Sequence, residues 1–401
     1  MNKLPLRYIC IISFVLLSSI FLLHYKVVGQ AVYGDGRFYW AYMRSAWKDH
    51  DLDLRDELNR EYSPRTNNAL PEKPTEKKQI FNWFPIGPSV AWFPSFIFAD
   101  AIASLMHIFN PSFPNNGYSD VYQIIVGLEN VLFVSAGITV LYRLLTVYFN
   151  PFVSLITIVL TLFGTNLLFY GGVDVINSHP VSFLLSSLFL YFWMKTRTKR
   201  KTFDWIVLGS LLGFLAMNRT QDAIFGLLLL FDFLFQKTKF VKKFREAVLT
   251  GISCLVIFSP QILMWKYVFG SYFMSPYLLG GFNFIRPHIV EVLLNTRNGL
   301  FIWTPLYLFS FIGLYMVRRK FFPLVCISVA LLYLITAWSG WNQGSSFSIR
   351  MMITGLPALS FGLAAFFTKM KSLLRPVLFY TLCVGFIVYN CMSIVLFLLV
   401  K

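Results

Sequence analysis

Charge is what this chain has least of: 13% of its 401 residues are charged, and 18 acids stand against 35 bases. A chain that is 57% hydrophobic, with 43 phenylalanines, has too little polar surface to coat a soluble core, which excludes a water-soluble fold. Cysteine is scarce and odd in number. Cys10, Cys254, Cys326, Cys383 and Cys391 all fall inside apolar runs, so they read as small core residues with no disulfide or metal framework. No large polar domain exists to carry nucleic-acid binding, despite a net charge of +17. Internal repeats with a period of about 20 to 50 residues are absent, as are low-complexity tracts. The first apolar run lacks a small-residue cleavage site, so it is expected to remain as a helix.

What the chain does have is a series of apolar runs, each near the roughly 20 residues needed to cross about 30 Å of hydrocarbon. The bases cluster where these runs end: Lys195 to Lys201, Lys237 to Arg245, Arg318 to Lys320 and Lys369 to Arg375. Such clusters face the cytoplasm and its anionic lipids. Fixing them inside predicts an all-α polytopic bundle of about eleven spans. It divides into a first membrane helix (1–28), an external loop with juxtamembrane helices (29–119), a membrane module (120–268), a second external loop (269–298) and C-terminal membrane helices (299–401). The apolar run 84–109 carries Pro85, Pro88, Pro94, Asp100 and His107, and parity keeps it outside. It is therefore expected to be a broken interfacial or re-entrant helix pair. Lys3 and Arg7 anchor the N-terminus inside only weakly, and an outside N-terminus with about twelve spans is the rival arrangement.

Nine of the 18 acids fall between residues 35 and 76. Asp35 stands between Gly34 and Gly36 just beyond the first span, where glycines let the backbone turn and a ligand approach closely. The alternative is an aspartate capping a helix. Asp49 and Asp51 flank His50 and could hold a divalent cation, but Asp51 with Arg55 and Asp56 with Arg60 also have the spacing of a solvated helix face. Asp174, His179, Arg219, Arg297 and Arg350 lie at the external mouths of spans. Arginines there either snorkel or, against the positive-inside trend, meet a ligand phosphate. Glu129 lies within a span, where an ionisable group either pairs with a neighbouring helix or serves function.

In order along the chain, Gly34-Asp35-Gly36, Phe84-Pro85-Ile86-Gly87-Pro88, Ser178-His179 before Ser182-Phe183, Arg219 near Gln221-Asp222, Gly299 to Pro305, and Ser346-Phe347 before Arg350 resemble the GT-C glycosyltransferases. The likeness is to bacterial members of glycosyltransferase family 39, the kind that includes protein O-mannosyltransferases and the lipid A aminoarabinose transferase. It implies an outward-facing cavity, Asp35 as general base, and a polyprenyl-phosphate-linked sugar as donor. His179, Asp174 and the three arginines become substrate-binding candidates. The acceptor could be a protein, a lipid or a glycan, and a bacterial plasma membrane is the expected home. The protein mannosyltransferases carry an Asp-Glu pair; here Gly36 follows Asp35, so only the aspartate maps. A single base with direct displacement implies inversion at the anomeric carbon. The competing classes are a transporter or lipid flippase and a non-catalytic assembly subunit. A transporter would place its polar residues near the midplane, between two related halves.

Overall fold

A computed structural model describes residues 5–59, 79–80, 82–235 and 239–400. Helices α1 (Leu6–Val28), α2 (Gly36–Arg44), α3 (Arg55–Asn59) and α4 (Gly87–Phe109) precede a central set: α5 (Asp120–Leu145), α6 (Pro151–Phe163), α7 (Leu167–Gly172), α8 (Ser178–Thr196), α9 (Thr202–Asn218), α10 (Gly226–Phe235) and α11 (Phe240–Phe269). Short helices α12 (Pro276–Leu279), α13 (Ile289–Leu294) and α14 (Leu300–Trp303) lead into α15 (Leu306–Met316), α16 (Phe322–Ala337), α17 (Leu356–Leu373) and α18 (Pro376–Val400). Among the described residues, six stretches are long and apolar enough to cross a membrane: α1, α4, α5, α11, α18, and α17 taken together with the turn Arg350–Gly355. The protein is thus an all-α polytopic membrane protein.

Several expected spans are broken, and the physics of the breaks is specific. A backbone group freed inside hydrocarbon must find a partner within the protein. Between α6 and α7, Asn390 of α18 donates to the carbonyls of Phe163 and Thr165 at 2.9 and 2.8 Å. Asn166 in the same break donates to the Ile349 carbonyl at 3.2 Å and accepts from Tyr307 Oη at 2.9 Å. Between α14 and α15, Thr304 Oγ1 donates to the Leu300 carbonyl at 2.8 Å and lies 2.8 Å from Ser348 Oγ. Asn390, Tyr307 and Ile349 are distant in sequence from the break they meet, whereas Thr304 bonds within its own turn. Elsewhere helices touch backbone to backbone: Gly313 of α15 faces Gly362 of α17, where neither position has room for a side chain.

The run near residue 90 corrects one expectation. It is a single unbroken helix, α4, and not a broken pair. Pro88 sits in the first turn, where no backbone donor is needed, and Pro94 alone interrupts the interior ladder. Trp92 Nε1 donates to Asn130 Oδ1 at 2.9 Å, while Asp100 accepts from Tyr122 and from Lys48 Nζ. Helix α4 therefore runs antiparallel to the first third of α5. Its N-terminal Gly87 abuts the backbone of Asn218, at the end of α9.

Candidate active site

The site gathers where α8 begins and α9 ends. Asp35 precedes α2 but makes no capping bond from its side chain. Its Oδ2 accepts instead from Arg350 Nη1 at 2.7 Å. The flanking glycines have separate reasons: Gly34 has φ +53°, and a side chain at Gly36 would collide with the Ile176 carbonyl. Asp35, Arg350 and Arg219 all line one cavity of about 260 Å³, walled by Trp83, Phe84 and Tyr277.

Arg219 leaves α9 with extended backbone and is 7% exposed. Its Nη1 donates to Ser178 Oγ at 2.9 Å and lies 3.4 Å from His179 Nε2, while its buried Nε has no protein partner. Beneath it, Asn218 donates to the Ser178 carbonyl and to Ser182 Oγ, which donates to Asp222 Oδ2 at 2.6 Å. A guanidinium on a cavity wall, braced from below, suits an anionic group. Burial raises the Tyr277 phenol, with Arg219 and Arg350 pulling the other way. Burial and the nearby Asp174 carboxylate push the Tyr33 phenol well up.

His179 is buried against the Tyr170 ring and is not among the residues that line the cavity. Half-buried Asp174 acts electrostatically on Arg350 and Tyr33. Arg297 is not brought in: it is exposed on the 270–298 segment, and its backbone N–H donates to Asn295 Oδ1 at 2.7 Å. Asp49 pairs with Arg44, which also holds Glu57 at 2.7 Å. Asp51 accepts from Ser45 Oγ at 2.7 Å. Among the described residues no three His, Cys, Asp or Glu stand together as metal ligands. The expected Asp51–Arg55 helix pair is replaced by Asp53–Arg55, because α3 starts only at Arg55. Arg60 lies outside the described residues. Glu129 interacts with Ser95 of α4 and is not among the residues that line the cavity. Tyr277, Trp338 and Gln343 line the cavity without having been singled out.

A helical membrane protein with a carboxylate and two arginines facing one cavity has the parts for moving a group off a phosphate. Residues 122–265 match the family model described as "Dolichyl-phosphate-mannose-protein mannosyltransferase". The matched stretch, α5 into α11, contains Ser178, His179, Arg219 and Asp222, while Asp35 and Arg350 lie on either side of it. No curated protein matches the chain. The match supports the resemblance read from the motifs: the chain is similar to membrane glycosyltransferases that use polyprenyl-phosphate sugars.

Proposed function

We propose that the protein transfers a sugar from a polyprenyl-phosphate donor to an acceptor hydroxyl on the external face of a bacterial plasma membrane, with inversion. The observation that carries this reading is the Asp35–Arg350 ion pair in a cavity that Arg219 also lines. Asp35 takes the acceptor proton as the hydroxyl oxygen bonds to the anomeric carbon. The electron pair of the breaking carbon–oxygen bond leaves with the prenyl phosphate, whose growing charge Arg219 and Arg350 stabilise. An adjoining apolar cavity of about 190 Å³ shares Arg219 and Tyr277 and extends past Leu334 and Ile335, a fitting place for the start of the prenyl chain. The external assignment is supported by the basic clusters. Lys195 to Lys201 sit at the far end of α8 from Ser178, where Asp232 accepts from Arg200 and Trp193 at 2.7 Å each.

The test is the purified protein in nanodiscs with a panel of radiolabelled polyprenyl-phosphate sugars. Release of prenyl phosphate coupled to sugar transfer is expected for at least one donor. A protein that moves donor across the bilayer without cleaving it would overturn the reading.

A further inference from the structure

A third, larger cavity of about 580 Å³ lies at the same end of the bundle, between α2, α4 and the last turns of α11. Met43, Ile86, Val90, Phe93, Leu263 and Met264 make its wall, and the prolines inside α4 and α11, Pro94 and Pro260, also border it. Its polar groups are already engaged. Ser89 Oγ donates to the Tyr39 carbonyl at 2.6 Å, Tyr42 Oη to the Phe84 carbonyl at 3.2 Å, and Tyr267 Oη accepts from Gln79 Nε2 at 3.3 Å. A groove whose Ser89 and Tyr42 hydroxyls are already spent and whose lining is otherwise almost wholly apolar rewards hydrocarbon over sugar or peptide.

Two placements identify that hydrocarbon. The groove opens beside Leu263, Val90 and Tyr267, which are 62, 42 and 42% exposed. On α11 this rim continues the exposed face of Ile252, Leu255 and Val256, the face a membrane helix turns to lipid. The groove is thus continuous with the protein's interface to the bilayer, within about 15 Å of the end of α11. It also shares a wall with the catalytic cavity: Trp83 and Phe84 face that cavity while Ile86 faces the groove. This wall is pinned by Asn82 Nδ2 donating to the Phe38 carbonyl at 3.1 Å and by Gln261 Oε1 accepting from the Ile86 N–H at 2.8 Å.

One apolar cavity adjoins Arg219 on the side given above to the donor's prenyl chain, and the larger groove lies across the Trp83–Ile86 wall. From this we infer that the acceptor is itself a membrane lipid, its acyl chain lying in the groove of α2, α4 and α11 and its hydroxyl headgroup reaching over Phe84 to Asp35. The inference rests on the glycosyl-transfer reading and adds the class of acceptor. The acceptor oxygen forms the new bond, its proton goes to Asp35, and prenyl phosphate leaves with the bonding electrons.

The experiment uses the full chain in phosphatidylcholine nanodiscs with two photoreactive probes bearing the same diazirine acyl chain, a diacylglycerol with a free hydroxyl and a phosphatidylcholine without one. The diacylglycerol should label Phe93, Leu263 and Met264 more strongly than the phosphatidylcholine does, with competition by unlabelled diacylglycerol. Equal labelling by both probes, or groove labelling no stronger than at Ile252, Leu255 and Val256, would mean bulk lipid fills the groove and overturns the proposal. Ala46→Phe and Val90→Phe, which narrow the groove, should raise the KM for lipid acceptor about tenfold or more. Labelling of the parent protein keeps the test decisive if either variant fails to fold. Radiolabel from the donor should appear in an organic-soluble product. Its appearance in a soluble serine-rich peptide instead would sink the lipid acceptor and leave the transferase standing, whereas a parent protein that neither binds nor cleaves any donor would sink the transferase reading itself.

Discussion

At the scale of single residues, the Asp35–Arg350 pair would give the arginine two duties. In the proposed reaction Arg350 neutralises the base at rest and also meets the phosphate, so donor and base would compete for one guanidinium. Arg219 is already oriented by Ser178 and needs no such exchange. Arg219→Lys keeps the charge but loses the fork, and donor affinity should fall by an amount close to that of Arg219→Ala, about 1.5 to 3 kcal/mol for a charge-assisted contact. Arg297→Ala and Arg297→Lys should bind donor like the parent. Titrating the four variants with polyprenyl-phosphate sugar decides the matter: a parent-like Arg219→Lys, or a weakened Arg297→Ala, contradicts this placement of the phosphate. Asp35, Arg219 and Arg350 are legible in the sequence because strong polar groups stand out at the ends of apolar runs. Tyr277 is not, since one tyrosine among 20 carries no signal, and exposed Arg297 looks the same in sequence as the buried arginine at 219.

At the scale of elements, the sequence reveals where apolar runs lie but not where they break. The break at 164–166 depends on Asn390, a partner far away in the chain that periodicity cannot register. The continuity of α4 is hidden for a related reason. Five residues in and beside it, Pro85, Pro88, Pro94, Asp100 and His107, suggest interruption, yet Pro88 falls in a first turn where it costs nothing. Helix contacts give a sharper expectation. Gly362→Ala forces a methyl against the Ser310 backbone and should cost about 1 to 3 kcal/mol, read as a lower Tm. Gly385→Ala in α18 meets nothing and should be neutral or stabilising by up to about 1 kcal/mol. If both variants melt alike, the close α15–α17 crossing is wrong.

At the scale of the whole molecule, the account requires the 29–119 region and the cavity to share one side of the membrane. Helix α4 packs along the first third of α5 and against the end of α9, an arrangement suited to a helix at the outer boundary. Cysteine placed at Asn115 should react with an impermeant reagent from outside, and cysteine at Ser372 only after permeabilisation. Reversal of either result moves α4 into the count of spans and turns the topology over. The all-helical membrane class is legible from composition alone, whereas the cavity depends on five separated segments meeting at one end of the bundle. The central claim is that Asp35 drives sugar transfer from a polyprenyl-phosphate donor, and single-turnover transfer by Asp35→Asn tests it most directly. The variant should bind donor at least as well as the parent, because Arg350 is released, yet transfer about 10² to 10⁴ times more slowly. Transfer at the parental rate with intact donor binding would contradict the account.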